Sequence, residues 1–315
     1  MSPMLVLVAL AALLPWAAVP AARRLALLLP PREASLTLAG AAVLLAIGTM
    51  AAVASLFHVP FLAGLEHLPL STVVAHWPAV VPVSGAAGVL LAVQTARLAS
   101  RWRRQRALLA RAWELAGAAT NDGDLLVVAG QEPEAFALPG HRGRPGRVVV
   151  SAGMLRALSP AEREVLLAHE RAHLSGRHHL LSAAPDLAAA VHPALARLGA
   201  DLDFHLERWA DEQAASAVAD RRTAATAIAR AALAGSPRAP RDAGPLRSVG
   251  SGPVPQRVRA LLAAEPARPT GRRAGTAAAL FAAVAVAALL GTASAYGLHE
   301  YVEFAARTLR AHDAV

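Results

Sequence analysis

The sequence predicts a mainly α-helical integral membrane protein with four transmembrane helices and one α+β domain inserted between the third and the fourth. Three observations carry this expectation. Of 315 residues, 55% are hydrophobic and only 17% charged, where soluble domains come closer to a quarter charged, and mean hydropathy is +0.41. Four apolar runs approach the roughly twenty residues that cross a bilayer as a helix. Between the last two lies a stretch of ordinary soluble composition, residues 98–270, with short β-rich runs and one strongly capped helix.

The apolar runs fall at about 4–20, 35–57, 78–97 and 274–297. The first has the apolar core of a signal peptide. No positive charge precedes it, however, and Arg23 and Arg24 follow it, so it is expected to be retained as a span. Arginine placement orients the chain. Arg23, Arg24 and Arg32 lie in the first loop and none in the second, from about 58 to 77, whereas a cluster from Arg97 to Arg111 follows the third span. Arg268, Arg272 and Arg273 precede the fourth. The expected organisation is a three-span region (1–97), a cytoplasmic domain (98–270), a fourth helix (271–298) and a short external tail (299–315), with both termini outside a bacterial cell membrane. The fourth span is rich in small residues. Either these let it pack closely on the other three, or alanine follows genome composition.

Other classes are excluded by composition. There is no cysteine, which removes disulfides, a thiol nucleophile and thiolate metal ligands. The net charge of +9 is carried by arginine alone. Because these arginines sit beside the apolar runs and are not interleaved with aromatics, they read as topology signals, and no direct nucleic-acid partner is expected.

Within the domain, 98–119 reads as a basic helix. "DLLVVAG" (124–130), "EAFALPG" (134–140) and "RVVVSAG" (147–153) read as a small sheet. In "SPAEREVLLAHERAHLSG", Ser159 and Glu162 form a capping-box pattern, Pro160 takes the first helical position and Gly176 ends the run. One further helix is expected over roughly 201–233, a mobile Pro/Gly/Ser/Arg loop over 235–255, and a short helix at "QRVRALLA".

On the capped helix His169 and His173 are one turn apart, so both imidazoles reach one ion. Neutral imidazole suits zinc. Glu170 is placed to take a proton from a metal-activated water and pass it to a leaving amine. A catalytic zinc needs a third protein ligand. Glu207, in "HLERWADEQAA", is the candidate, with Asp211 one turn on to hold a ligand histidine by hydrogen bond. His205 is a competing ligand on another side of the same helix. His178 and His179, beyond Gly176, read as polar loop or membrane-surface residues, and His58, His67 and His76 as scattered outer-loop residues.

Together these residues resemble membrane zinc metallopeptidases of the BlaR/MecR type, the β-lactam sensor-transducers, and the related HtpX-like and CAAX prenyl protease group. "EAFALPG", "RVVVSAGMLRALSPAEREVLLAHERAHLSGRHH", "ERWAD" and "VPQRVRALL" follow in that order over about residues 95–300. A domain between spans three and four favours the BlaR/MecR type. The resemblance implies a gluzincin-like domain holding one zinc per chain on His169, His173 and Glu207. It makes Glu170 the catalytic carboxylate and Asp211 the partner of a histidine ligand. It also implies that Ala135, Phe136 and Ala137 pair with substrate backbone by strand addition and that Arg257 approaches the site. The implied substrate is a cytoplasmic protein such as a BlaI/MecI-type transcriptional repressor. One departure is large: fewer than twenty residues follow the fourth span, so the penicillin-binding sensor domain of those proteins is not expected. Two alternatives remain, an HtpX-like protease of membrane-protein quality control and a non-catalytic receptor or scaffold with a structural metal. Against the scaffold stand an acid beside the ligands and only three convincing ligands. Oligomeric state has no signature in the sequence.

Overall fold

A computed structural model describes residues 3–116, 120–235, 253–264 and 267–313. Three of its helices are long and apolar enough to cross a membrane: α2 (Pro31–Leu65), α4 (Val80–Ala116) and the Gly271–Ala305 part of α11 (Gly271–Asp313). The apolar run at 4–20 lies in a fourth long helix, α1 (Pro3–Ala26), packed on α2 and α11. α11 meets α2 where Gly48 faces Gly291. A Cβ added at Gly291 would lie 3.0 Å from Gly48 Cα, so two glycines set the closeness of this crossing. A short helix, α3 (Leu70–His76), bridges α2 and α4.

The third span and the basic helix expected at 98–119 are one continuous helix, α4, because neither Gly nor Pro interrupts the chain between 89 and 116. A four-stranded sheet follows, in the order β1-β2-β4-β3. It contains β1 (Thr120–Asp122), β2 (Leu125–Val128), β3 (Ala135–Leu138) and β4 (Arg147–Ser151). β2 and β4 run parallel, β1 and β3 antiparallel to their neighbours, and β3 is an edge strand. Ser151 ends β4 and caps α5 (Ala152–Ala157) by accepting from the Met154 amide.

Helix α6 (Pro160–Ser175) has the expected capping box, with both reciprocal bonds between Ser159 and Glu162. The chain then departs from expectation. Residues 178–191 are helical (α7, His178–Val191) and continue into a 3₁₀ turn, Pro193–Leu198. The single helix expected over 201–233 is two, α8 (Gly199–Val218) and α9 (Arg221–Ala234). Ala219 turns left-handed between them (φ 53°), and Asp220 starts α9 by accepting from the Arg222 and Thr223 amides. The short helix expected at 256–263 is α10 (Val254–Leu262). Residues 236–252, most of the expected loop, lie outside the described residues.

Two cores matter for the site. Val148, Val150, Val165, Leu166, Ala214, Ile228 and Leu261 pack sheet, α6, α8, α9 and α10 together. A second core joins the domain to the long helices: Leu38 and Leu45 of α2 and Val19 of α1 pack with Val191, Leu195, Leu198, Leu202 and Leu206. Polar contacts pin this junction. Gln94 of α4 donates to the Val191 carbonyl (3.0 Å), and His192 Nε2 meets the Ala12 carbonyl of α1 (3.1 Å). Arg23 pairs with Asp201, and Arg101 and Gln105 of α4 with Asp186. The helix that supplies Glu207 is therefore anchored directly on the long apolar helices.

Candidate metal centre

The centre lies where α6 crosses α8, backed by α10. Helical geometry points His169 and His173 at α8, and Glu207 points back. His169 and Glu207 are buried and His173 nearly so. The two Nε2 atoms are 3.1 Å apart, and Glu207 oxygens lie 3.7 Å from His169 Nε2 and 3.4 Å from His173 Nε2. A tetrahedral zinc with bonds of about 2.0–2.1 Å spaces its donors by about 3.3 Å, and one donor atom from each of the three residues lies within 4.8 Å of the others, close enough for them to hold one ion. Two imidazoles and one carboxylate, with no thiolate, are also the donor set of a catalytic zinc. Among the described residues these three form a metal-competent cluster. His205 is not part of it. It is buried beside Phe204, on the side of α8 that its spacing from Glu207 dictates.

Behind the ligands sits a charged layer. Asp211 Oδ1 lies 3.1 Å from His169 Nδ1, the ring nitrogen facing away from the cluster. Arg257 of α10 is fully buried. Its Nη1 lies 2.7 Å from Glu207, and its Nε and Nη2 donate to the two Asp211 oxygens at 2.7 and 2.6 Å. α10 is held in place by Arg221, whose Nε donates to the Leu261 carbonyl (2.9 Å). Burial works to raise the Asp211 carboxyl, but Arg257 and His169 outweigh it and hold it at about 2. Glu207 is lowered in the same way against its own burial. Burial also opposes a charge on His169, yet Asp211 and Glu207 raise it to about 9. The pair that favours an imidazolium at His169 favours a dication at its Nε2 for the same electrostatic reason.

Glu170 lies against the Ala137 amide of β3. It is fully buried, and no side chain hydrogen-bonds to either of its oxygens. Burial pushes it up to about 7. The His169 charge opposes that, Glu207 reinforces it, and the Ala137 amide of β3 and Arg257 pull it down again. A fully buried carboxyl with no side-chain partner is costly, and such groups concentrate at functional sites. A small cavity of about 20 Å³, room for a water, opens between Ala137, His173, His178 and Glu207. A wider groove of about 570 Å³ continues from Pro139, Leu174 and His179 to Arg171 and Arg177.

The structure places the remaining candidate positions as follows. Ala135 is in the core, and Phe136 packs toward Leu126, Leu138 and Val149 on the α4 side, leaving Ala137 as the strand residue at the cavity. Arg257 approaches the site as the resemblance implies, from behind the cluster, where it pairs with Glu207 and Asp211. His178 is neither loop nor membrane surface. It opens α7, is buried, and its Nδ1 meets His173 Nδ1 at 2.8 Å. Helical spacing could not reveal this, because the contact runs across the break between α6 and α7.

No curated protein and no solved structure matches the chain. Residues 99–201 match the family model described as Peptidase family M48, a family of zinc metalloproteases; the match takes in His169, Glu170 and His173, while Glu207, Asp211 and Arg257 lie beyond its end.

Proposed function

We propose that this protein is a membrane-embedded zinc endopeptidase that cuts a cytoplasmic protein in regulatory proteolysis, of the kind a BlaI/MecI-type repressor undergoes. The observation that carries the catalytic reading is Glu170, a fully buried acid to which no side chain hydrogen-bonds, beside His169 of the metal-competent cluster. A scaffold would gain nothing from it. Bound zinc would supply a Lewis acid for water and for the scissile carbonyl. His169, His173 and Glu207 would hold it, leaving the cavity side open. Glu170 accepts the proton of the attacking water and returns it to the leaving amine. The free edge of β3 at Ala137 lays the substrate backbone antiparallel across the site. The arginine distribution supports four spans, with α1 as the first and the domain cytoplasmic.

A second reading, cleavage of membrane proteins themselves, is favoured by the anchoring of α7 and α8 on the long apolar helices. One experiment separates the readings. Cleavage fragments are compared across the proteome between wild type and Glu170→Gln at native level, with zinc content measured in parallel. Zinc should be retained and hydrolysis should fall by roughly 10²–10⁴-fold, the loss typical of a general base. Fragments of a soluble repressor support the first reading, and fragments of membrane proteins the second. Identical fragment patterns in the two strains would overturn both.

A further inference from the structure

The turn between α6 and α7 brings a third histidine against the centre, and its geometry is specific. His173 offers Nε2 to the metal-competent cluster, so its proton sits on Nδ1. That nitrogen lies 2.8 Å from Nδ1 of His178. The rings stand nearly perpendicular (87°), with centroids 4.7 Å apart. His178 is buried and leans on Trp209 of α8, two residues before Asp211, with ring centroids 4.5 Å apart. Two local features put it there. Arg177 adopts a left-handed conformation (φ 50°), which reverses the chain within one residue. Gly176 supplies the space, since a Cβ at that position would come within 2.4 Å of His178 Nε2.

We propose that His178 is the positioning residue of His173: its Nδ1 accepts the His173 Nδ1–H and so fixes that ligand's tautomer and ring angle. The proposal rests on the metallopeptidase reading above. His178 then does for the second ligand what Asp211 does for the first, but with a neutral acceptor in place of a carboxylate. Metal ligands of this kind are normally held by such an acceptor, and its loss typically weakens metal binding by about 10–100-fold. His178 touches neither water nor peptide bond in this role.

The test uses the full-length protein in detergent and measures zinc affinity by chelator competition. Asparagine places an oxygen where histidine has Nδ1, whereas phenylalanine keeps the ring against Trp209 and removes the acceptor. His178→Phe should bind zinc about 10–100-fold more weakly, and His178→Asn should stay within about threefold of wild type. The visible spectrum of the cobalt-substituted protein should change shape for His178→Phe and not for His178→Asn, because ring angle alters the ligand field. Gly176→Ala, which pushes His178 aside, should behave like His178→Phe. Wild-type zinc affinity in His178→Phe would make the ring mere packing and overturn the proposal. So would equal losses in His178→Asn and His178→Phe, or unfolding of both. Failure of the wild type to bind zinc at all would sink the metallopeptidase reading instead, and is read separately.

Discussion

The two histidines of the centre are held by unlike flanks. On the His169 side stand charges: Asp211 at 3.1 Å, itself gripped by Arg257, with Glu207 in the same network. On the His173 side stand neutral rings, His178 and then Trp209, whose far side carries Arg32 of α2 with its guanidinium 5.7 Å from the ring centroid. The charged flank belongs to α8 and α10 and is closed off within the domain. The ring flank leads from the centre to the start of a long apolar helix. One histidine of the cluster is thus backed by buried charges, the other by rings that lead toward the long apolar helices. Damage to the two should differ in kind.

The strongest way to break this contrast is Arg257→Met. Two carboxylates would be left buried without their cation, which should destabilise the zinc-free protein by about 3–5 kcal/mol. Denaturant unfolding in detergent checks it, and a change below about 1 kcal/mol would mean the charged flank does not depend on Arg257. Next comes Asp211→Asn, which should weaken zinc binding by about 10–100-fold while changing stability less than Arg257→Met does. Combining it with His178→Phe sharpens the comparison. If the flanks act independently on different ligands, the two losses should multiply; marked non-additivity would show one shared network. Ser159→Ala removes the cap of α6 and should cost about 1 kcal/mol of stability with zinc affinity unchanged. Smallest is Arg32→Ala, at most about 1 kcal/mol for an exposed cation–π contact, again with zinc affinity near wild type.

The sequence by itself determined whatever depends on short-range periodicity. One turn of helix separates His169 from His173 and Glu207 from Asp211, so which of these side chains share a face could be read from spacing alone. The capping box at Ser159 and Glu162 was equally legible, because both bonds lie within four residues. So were the apolar lengths of α2, α4 and α11, since bilayer thickness sets a length that composition displays.

Only the tertiary structure decided the rest. The break at Ala219 hangs on one left-handed residue in an alanine-rich run with no Gly or Pro to mark it. α7 was illegible because Pro185 lies inside it, a residue that in a sequence marks the end or a kink of a helix and that only the tertiary packing on α2 and α4 accommodates. Arg257 reaches the centre from 46 residues beyond Asp211, and His178 reaches it across a helix break. Both contacts pair groups whose separation along the chain carries no geometric information. They exist because burying Glu207, Asp211 and His173 demands partners, and the fold supplies whichever polar groups its packing brings within reach.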